Sequence, residues 1–199
     1  MQSGPRTPRE RTTYHHGALR EALLAGAREM LAERGLDGFS LSALARRLGV
    51  STAAPYRHFA DRDALLDALC IEGYALFGAA LARAARTTDD PRQVLHALGV
   101  AYLTFAREHP SFFGIMFTGR SDATIEAGAP TFEPLVQAVL AAQQAGALPA
   151  GADPRVLSRT LWATLHGLAV LSRQRGFVKL GLDDTDERLV ADAFALALR

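Results

Sequence analysis

Cysteine is almost absent from this sequence: Cys70 is the only one in 199 residues, so no disulfide can form within the chain. It lies between Leu69 and Ile71, which predicts a small core residue and a reducing compartment. The sequence also lacks a run of about twenty apolar residues, and its first residues are polar with no apolar signal segment. We therefore expect a cytoplasmic protein without a membrane partner.

The signatures of common catalytic and cofactor sites are missing as well. The sequence has no Gly-rich phosphate loop, no nucleophile elbow and no His-Glu metal spacing. The adjacent His15 and His16 would face different directions on a helix, which disfavours a metal site. We expect no enzyme activity, no metal and no cofactor. A small helical enzyme with His96, His109 or His166 as its base stays open as the lesser alternative.

Charge is distributed unevenly along the chain. Residues 1–60 hold nine arginines and five acidic residues, a net charge of +4, whereas residues 61–199 hold thirteen basic and sixteen acidic residues, a net charge of −3. A cationic N-terminal end and a pI near 8.0 fit a protein that contacts nucleic acid at one end only.

The first of two short helices is predicted just after Phe39. Its apolar residues recur at the i, i+3, i+4, i+7 spacing of one helical face, with Arg46 and Arg47 facing out. These apolar residues are Leu41, Leu44, Ala45 and Leu48. Gly49 then ends the helix, because glycine takes positive φ at a helix C-terminus without a steric clash.

A second helix is expected to begin at Thr52 as its N-cap. Pro55 would then lie in the first turn, where the missing N–H is not required. Small side chains followed by long polar ones suit a helix that enters the DNA major groove. The stretch 40–59 therefore predicts a helix-turn-helix, although such a corner of two helices can also be a packing unit.

Two longer segments resemble a known family. The runs YHHGALREALLAGAREMLAERG and FSLSALARRLGVSTAAPYRHFADRDALLDAL, between residues 14 and 69, resemble the DNA-binding domain of the tetracycline-repressor-like (TetR) family of bacterial regulators. Trp162, His166 and Gly167 in LWATLHGLAVL are similar to the Trp and His-Gly (WHG) pattern of one group of effector domains in that family. The resemblance also implies a phosphate contact by Arg62.

We expect DNA contacts from small, polar and basic residues in or beside the helix-turn-helix, and from a basic arm at the N-terminus. The predicted contacts are Arg11, Ser40, Ser42, Ser51, Thr52, Ala53, Tyr56, Arg57, His58 and Arg62.

The fold is expected to be all-α, with about nine helices, no strand and no internal repeat. A flexible basic tail spans residues 1–13, a DNA-binding domain spans 14–60, and an effector-binding and dimerisation domain spans 61–199. Within the last domain, Asp90-Pro91 and Asp153-Pro154 predict capped helix starts, whereas residues 118–130 resemble a loop.

Aromatic residues and methionine are dense in the middle of the predicted effector domain and on the helix of Trp162. Such residues form an adaptable wall for an apolar ligand, although core packing explains them equally well. The predicted pocket residues are Tyr102, Phe105, Phe112, Phe113, Met116, Phe117, Trp162 and His166. Trp162 and His166 lie one turn apart, and Gly167 would let another helix approach closely.

The last two helices are apolar around much of their circumference, which predicts a homodimer through a four-helix interface. The predicted interface residues are Leu161, Leu165, Leu168, Leu189, Ala193 and Phe194.

Together these features predict a ligand-responsive transcriptional regulator. It would act as a repressor that a mainly hydrophobic small molecule releases from a palindromic, double-stranded DNA operator. A ligand-independent architectural DNA-binding protein is the alternative.

Overall fold

The computed structural model describes residues 14–118 and 121–197, and every regular element in this part is a helix. It contains ten α-helices, against about nine expected, and the all-α prediction is confirmed. The predicted basic tail 1–13, with Arg11, lies outside the described residues. The helices are α1 Tyr14–Arg34, α2 Leu41–Arg47, α3 Arg62–Ala84, α4 Pro91–Glu108, α5 Pro110–Met116, α6 Asp122–Gly128, α7 Glu133–Gln144, α8 Pro154–Arg173, α9 Gly176–Leu180 and α10 Asp186–Ala197. Two short 3₁₀ helices span Pro55–Arg57 and Ala129–Phe132.

The chain divides into two compact units, residues 1–69 and residues 70–199. The division falls inside α3, nine residues beyond the boundary predicted after residue 60. Thus α3 supplies Leu65, Leu66 and Leu69, all 0% exposed, to the core of the first unit.

In the first unit, α2 packs on α1 at Gly26. A Cβ atom at that position would lie 3.0 Å from Leu44 Cδ1, so the glycine permits the close approach of the two helices. Leu23, Ala27 and Leu44 are fully buried there. Gly35 ends α1: its φ is +67°, and its N–H donates to the carbonyl of Leu31.

In the second unit, α4 is central and packs against α7, α8 and α10. Gly99 marks the crossing, since an added Cβ would lie 2.6 Å from Val190 Cγ1 of α10 and 3.3 Å from Leu165 Cδ2 of α8. The predicted caps of α4 and α8 are present: Asp90 accepts from the N–H of Arg92, and Asp153 accepts from two N–H groups of α8.

The prediction of a loop over residues 118–130 is wrong, because α6 lies within it. Ser121 accepts a hydrogen bond from the N–H of Thr124, and the Thr124 hydroxyl accepts from the N–H of Ser121. This reciprocal pair starts a helix although the segment has little apolar periodicity.

Among the described residues, α3 has the length and composition of a membrane span, with a mean hydropathy of 1.6 over eighteen residues. However, 44% of that window is buried inside the protein. Asp67 and Glu72 also interrupt its apolar sequence. These properties equally describe a core helix, so α3 alone is weak evidence for a membrane.

Candidate functional site

The start and end of α2 are fixed by two local contacts. The Ser40 hydroxyl accepts a hydrogen bond from the N–H of Ala43 at 3.2 Å and caps the helix. At the other end, Gly49 has φ +67° and the N–H of Val50 donates to the carbonyl of Ala45 at 3.0 Å. Ser40, a predicted DNA contact, therefore also defines where α2 begins.

The predicted recognition helix is a single 3₁₀ turn. Thr52 is not its N-cap: the turn spans Pro55–Arg57, Ala54 precedes it, and no side chain caps it. Ala54 and Pro55 are both buried, and Phe59 returns to the core at 5% exposure. Hydrogen-bonded turns continue on both sides of the 3₁₀ turn: the N–H of Ala54 donates to the carbonyl of Ser51 at 2.9 Å, and the N–H of Phe59 donates to the carbonyl of Pro55 at 3.0 Å.

The residues around this turn are open to solvent. Ser51, Thr52, Ala53, Tyr56 and Arg57 are exposed, with Tyr56 at 54%. We call residues 51–57 the recognition turn. The Arg57 guanidinium has no hydrogen bond or ion pair with any residue that the structure describes. It is therefore available to an external anion.

Two further predicted contacts, Ser42 and His58, are half-buried. Their contact with DNA stays a prediction.

Arg62 has a structural role that the sequence did not reveal. Its Nε donates to the carbonyl of Phe39 at 3.1 Å and its Nη2 to the carbonyl of Leu36 at 2.7 Å. The guanidinium also lies 5.8 Å from the Phe39 ring centroid. Arg62 thus fixes the loop between α1 and α2. The phosphate contact implied for it stays a prediction.

Arg46 and Arg47, both expected to face outward, have different surroundings. Arg47 donates to Glu33 at 2.7 Å and to Glu29 at 2.9 Å, which joins α2 to α1 and lowers the Glu33 pKa. Arg46 is exposed and has no hydrogen bond or ion pair with another described residue. The i, i+4 spacing of Glu29 and Glu33 was the sequence signal for this contact.

The second unit contains an apolar cavity of about 670 Å³. Its size and lining are those of a small-molecule site. Half of the predicted pocket residues line it: Tyr102, Met116, Phe117 and Trp162. Further lining residues, which were not predicted, come from α3, from α6 and from the second 3₁₀ helix; α6 lies in the segment that was expected to be a loop. These are Tyr74, Phe77, Leu81, Ile125, Gly128, Ala129, Thr131 and Phe132.

Four predicted pocket residues lie behind the wall. Phe105 packs on the Phe77 ring, with centroids 5.0 Å apart, and Phe113 stacks on His166 at 5.3 Å. Phe112 packs against α3, where a Cβ at Gly73 would lie 3.0 Å from its ring. The prediction that Phe105, Phe112, Phe113 and His166 line the pocket is therefore corrected: they support the wall and do not line the cavity.

A chain of hydrogen bonds connects α4 with α8 beside the cavity. The Trp162 indole N–H donates to the Tyr102 hydroxyl at 3.2 Å, and that hydroxyl lies 2.9 Å from His166 Nδ1. The Tyr102 hydroxyl thus accepts from Trp162 and makes a second hydrogen bond with Nδ1 of His166, whose direction follows the His166 tautomer. Burial lowers the pKa of His166 and raises the pKa of Tyr102, so both side chains are held neutral.

The structure corrects half of the predicted dimer contacts. Leu161, Leu165 and Phe194 are 1%, 2% and 8% exposed, so they belong to the core of their own chain. Leu168, Leu189 and Ala193 are half-buried. An added Cβ at Gly167 would meet no atom within 4 Å, so no described helix approaches it.

Two sequence profiles match the two units in turn. The profile "Bacterial regulatory proteins, tetR family" matches residues 23–69, and "Tetracyclin repressor-like, C-terminal domain" matches residues 95–195. A helix-turn-helix unit followed by a helical unit with an apolar cavity is the arrangement of a class of bacterial regulatory proteins. The chain belongs to the tetracycline-repressor-like family of bacterial regulatory proteins. Its membership of the WHG group stays a prediction.

Known proteins match over different lengths. Tetracycline repressor protein class D of Escherichia coli is 42% identical over 53 residues, which are 27% of this chain and 24% of that protein. This chain therefore spans about a quarter of the length of such curated relatives.

Solved structures match over nearly the whole chain. A protein of unknown function from Rhodococcus sp. RHA1 is 36% identical, with a TM-score of 0.77 over 95% of this chain and 98% of that one. The TetR-family regulator PfmR from Thermus thermophilus is 23% identical, with a TM-score of 0.72 over 89% and 97%. The family consists of regulators, which confirms that this chain is not an enzyme.

Proposed function

We propose that this chain is a ligand-responsive regulator of transcription, a cytoplasmic repressor that binds a palindromic DNA operator through its recognition turn. The observation that carries the proposal is that Tyr56 and Arg57 are exposed in the recognition turn, whereas Ala54 and Pro55 of the same turn are buried. Exposed small residues permit close approach to a groove, and an unpaired guanidinium suits a phosphate or a guanine edge.

Arg46 and Arg57 supply the electrostatic part of this contact. Both are exposed, and neither is paired with another described residue. Arg47, by contrast, already shares its guanidinium between Glu29 and Glu33. A guanidinium without an internal partner gives DNA affinity without a competing ion pair, and each phosphate contact steepens the salt dependence.

The apolar cavity is the effector site in this proposal. The helix α3 supplies Leu65, Leu66 and Leu69 to the core of the first unit and Tyr74 and Phe77 to the cavity wall of the second. An effector releases DNA only if it binds the DNA-free geometry more tightly than the DNA-bound one.

A homodimer would present two recognition turns to a two-fold symmetric site. Leu171 is 45% exposed on α8, and Leu180 and Leu182 are 72% and 62% exposed nearby in sequence. These residues and the open face at Gly167 support a second copy as the partner. Gly167→Arg should lower the sedimentation mass to that of one chain, whereas a one-chain mass for the unaltered protein would contradict the dimer.

The test is fluorescence anisotropy on the DNA upstream of the chain's own gene, with a scrambled duplex as control, over a salt series. Arg57→Ala is compared with Arg86→Ala, an exposed arginine of the second unit. We expect sequence preference, a steep salt dependence, and a loss of affinity with Arg57→Ala only. Equal binding to both duplexes at every salt concentration would refute specific regulation.

A further inference from the structure

The face of α8 that lines the cavity changes from charged to apolar along the helix. Arg155, Val156 and Arg159 come first, followed by Trp162 and Leu165. Exposure follows the same order: the Arg155 side chain is 68% exposed, Val156 46%, Trp162 37% and Leu165 2%. The cavity therefore opens at the N-terminal end of α8 and closes toward its middle.

The polar groups inside the cavity already have partners in the protein. The Tyr74 hydroxyl donates to the carbonyl of Met116, and the Thr131 hydroxyl donates to the carbonyl of Gly128. Trp162 and Tyr102 are joined in the hydrogen-bond chain to His166. A ligand group that accepts hydrogen bonds would lose its water deep in the cavity without gaining a free donor, which is unfavourable. The deep part therefore suits an apolar ligand body.

At the opening, the two arginines are not equivalent. Arg155 donates to Glu133 at 3.4 Å. Arg159 is exposed and has no hydrogen bond or ion pair with the described residues. A guanidinium without a partner at the edge of an apolar cavity matches a carboxylate, which it can bind through two parallel N–H donors.

We infer that the cavity binds an amphipathic molecule whose apolar body fills the aromatic interior and whose anionic head, a carboxylate, is held at the opening by Arg159. The inference rests on the proposed function in that this molecule would be the effector, but its binding does not require DNA.

A cationic head is the competing chemistry, since aromatic rings attract cations. Asp153 is the one carboxylate among the lining residues in the described part of the chain. Its Oδ1 already accepts from the N–H groups of Arg155 and Val156, at 2.8 and 3.1 Å. Asp153 keeps its negative charge but is fixed as the cap of α8, whereas Arg159 has no partner among the described residues and can turn toward a ligand, which favours a negatively charged head.

The experiment uses three probes with one tail: dodecanoate and dodecyltrimethylammonium, each below its micellar concentration, and dodecanol below its solubility limit. Trp162 is the single tryptophan of the chain and lines the cavity, so its fluorescence reports occupancy directly. We expect dodecanoate to bind about tenfold more tightly than the other two probes, the ratio that one charge-assisted contact supplies.

Variants test whether Arg159 is the residue that binds the carboxylate. Arg159→Gln should weaken dodecanoate binding about tenfold and leave dodecanol binding unchanged. Arg86→Gln is the matched control, and it should change neither. Ile125→Glu, at a lining position that is 58% exposed, should weaken dodecanoate binding and strengthen binding of the cationic probe. Circular dichroism checks that each variant is folded.

Equal affinity for the three probes, no effect of Arg159→Gln on a folded protein, or no binding of any probe by fluorescence and equilibrium dialysis would each overturn the inference. The proposed function is tested separately, because operator preference is measured without any probe. If the probes fail to bind but operator preference persists, only the ligand class is wrong. If dodecanoate binds but operator preference is absent, the proposed function is the part that fails.

Discussion

The two units of this chain place their candidate functional groups in opposite environments. In the first unit, two of the candidate groups, Arg46 and Arg57, are exposed and have no partner among the described residues. In the second unit, most polar groups of the cavity wall have partners inside the protein, and Arg159 at the opening is the exception. A DNA contact needs unpaired donors at the surface, whereas an effector cavity needs apolar walls whose own hydrogen bonds are complete.

The largest expected effect is a loss of stability in the second unit. Gly99→Val would place side-chain atoms where Val190 and Leu165 already lie, since Cβ alone would be 2.6 Å from Val190 Cγ1. We expect the free energy of unfolding to fall by about 3 kcal/mol. Gly114→Val is the control, because its Cβ would meet no atom within 4 Å and should change the stability by less than about 0.5 kcal/mol. Urea unfolding measures both; equal stability of the two variants would contradict the packing at Gly99.

The next effect concerns the first unit and leaves its stability unchanged. Arg57→Glu should weaken operator binding about a hundredfold, or about 2.7 kcal/mol, since it removes a cation and repels phosphate. Its urea midpoint should stay that of the unaltered protein, because Arg57 has no internal partner among the described residues. Arg86→Glu, in the second unit, should leave DNA affinity within about twofold. Normal operator binding by the Arg57→Glu protein would show that the DNA contact lies elsewhere.

Arg62 is a predicted DNA contact whose guanidinium already has partners inside the protein, so its replacement tests the comparison further. Arg62→Gln loses two hydrogen bonds to the carbonyls of Leu36 and Phe39, and we expect a loss of about 2 kcal/mol in unfolding free energy. Arg62→Lys keeps the charge but not the forked donor geometry, so it should also be destabilised. If Arg62→Gln lowered DNA affinity at unchanged stability, Arg62 would be mainly a phosphate contact.

The smallest effect is a pH dependence in the second unit. Burial among Tyr102, Phe113, Phe117 and Trp162 lowers the pKa of His166, so the unfolded chain takes up this proton at a higher pH than the folded chain. The stabilising contribution of neutral His166 is complete above the unfolded pKa of about 6.5 and decreases as the pH falls below it.

The urea midpoint should therefore fall between about pH 7.5 and about pH 5.5, and it should fall less in His166→Gln, which keeps an acceptor for Tyr102 but does not titrate. Identical decreases in the two proteins would show that other groups are responsible.

Local sequence signals predicted the helix boundaries well where a single residue fixes them. Gly49 ends α2, and Asp90 and Asp153 begin α4 and α8, as expected. The second helix was predicted to begin at Thr52, but the 3₁₀ helix begins only at Pro55, and the burial of Ala54, Pro55 and Phe59 is a tertiary feature that local capping signals do not show. The start of α6 was legible in Ser121 and Thr124, but it was overlooked within a polar segment.

The cavity was predictable only in part, since apolar periodicity shows that a residue faces inward but not what it faces. Leu161 and Leu165 have the pattern of an interface, yet they pack in their own core. Trp162 and His166 lie one turn apart on α8, but only Trp162 lines the cavity. Spacing along a helix does not distinguish residues that line a cavity from residues that pack behind them.

The most direct test measures whether binding in the cavity and binding to the operator affect each other. Operator affinity is measured by anisotropy with and without dodecanoate, while Trp162 fluorescence reports that the cavity is saturated. We expect dodecanoate to weaken operator binding, and the operator to weaken dodecanoate binding by the same factor. Unchanged operator affinity with a saturated cavity would contradict the claim that the cavity controls DNA binding.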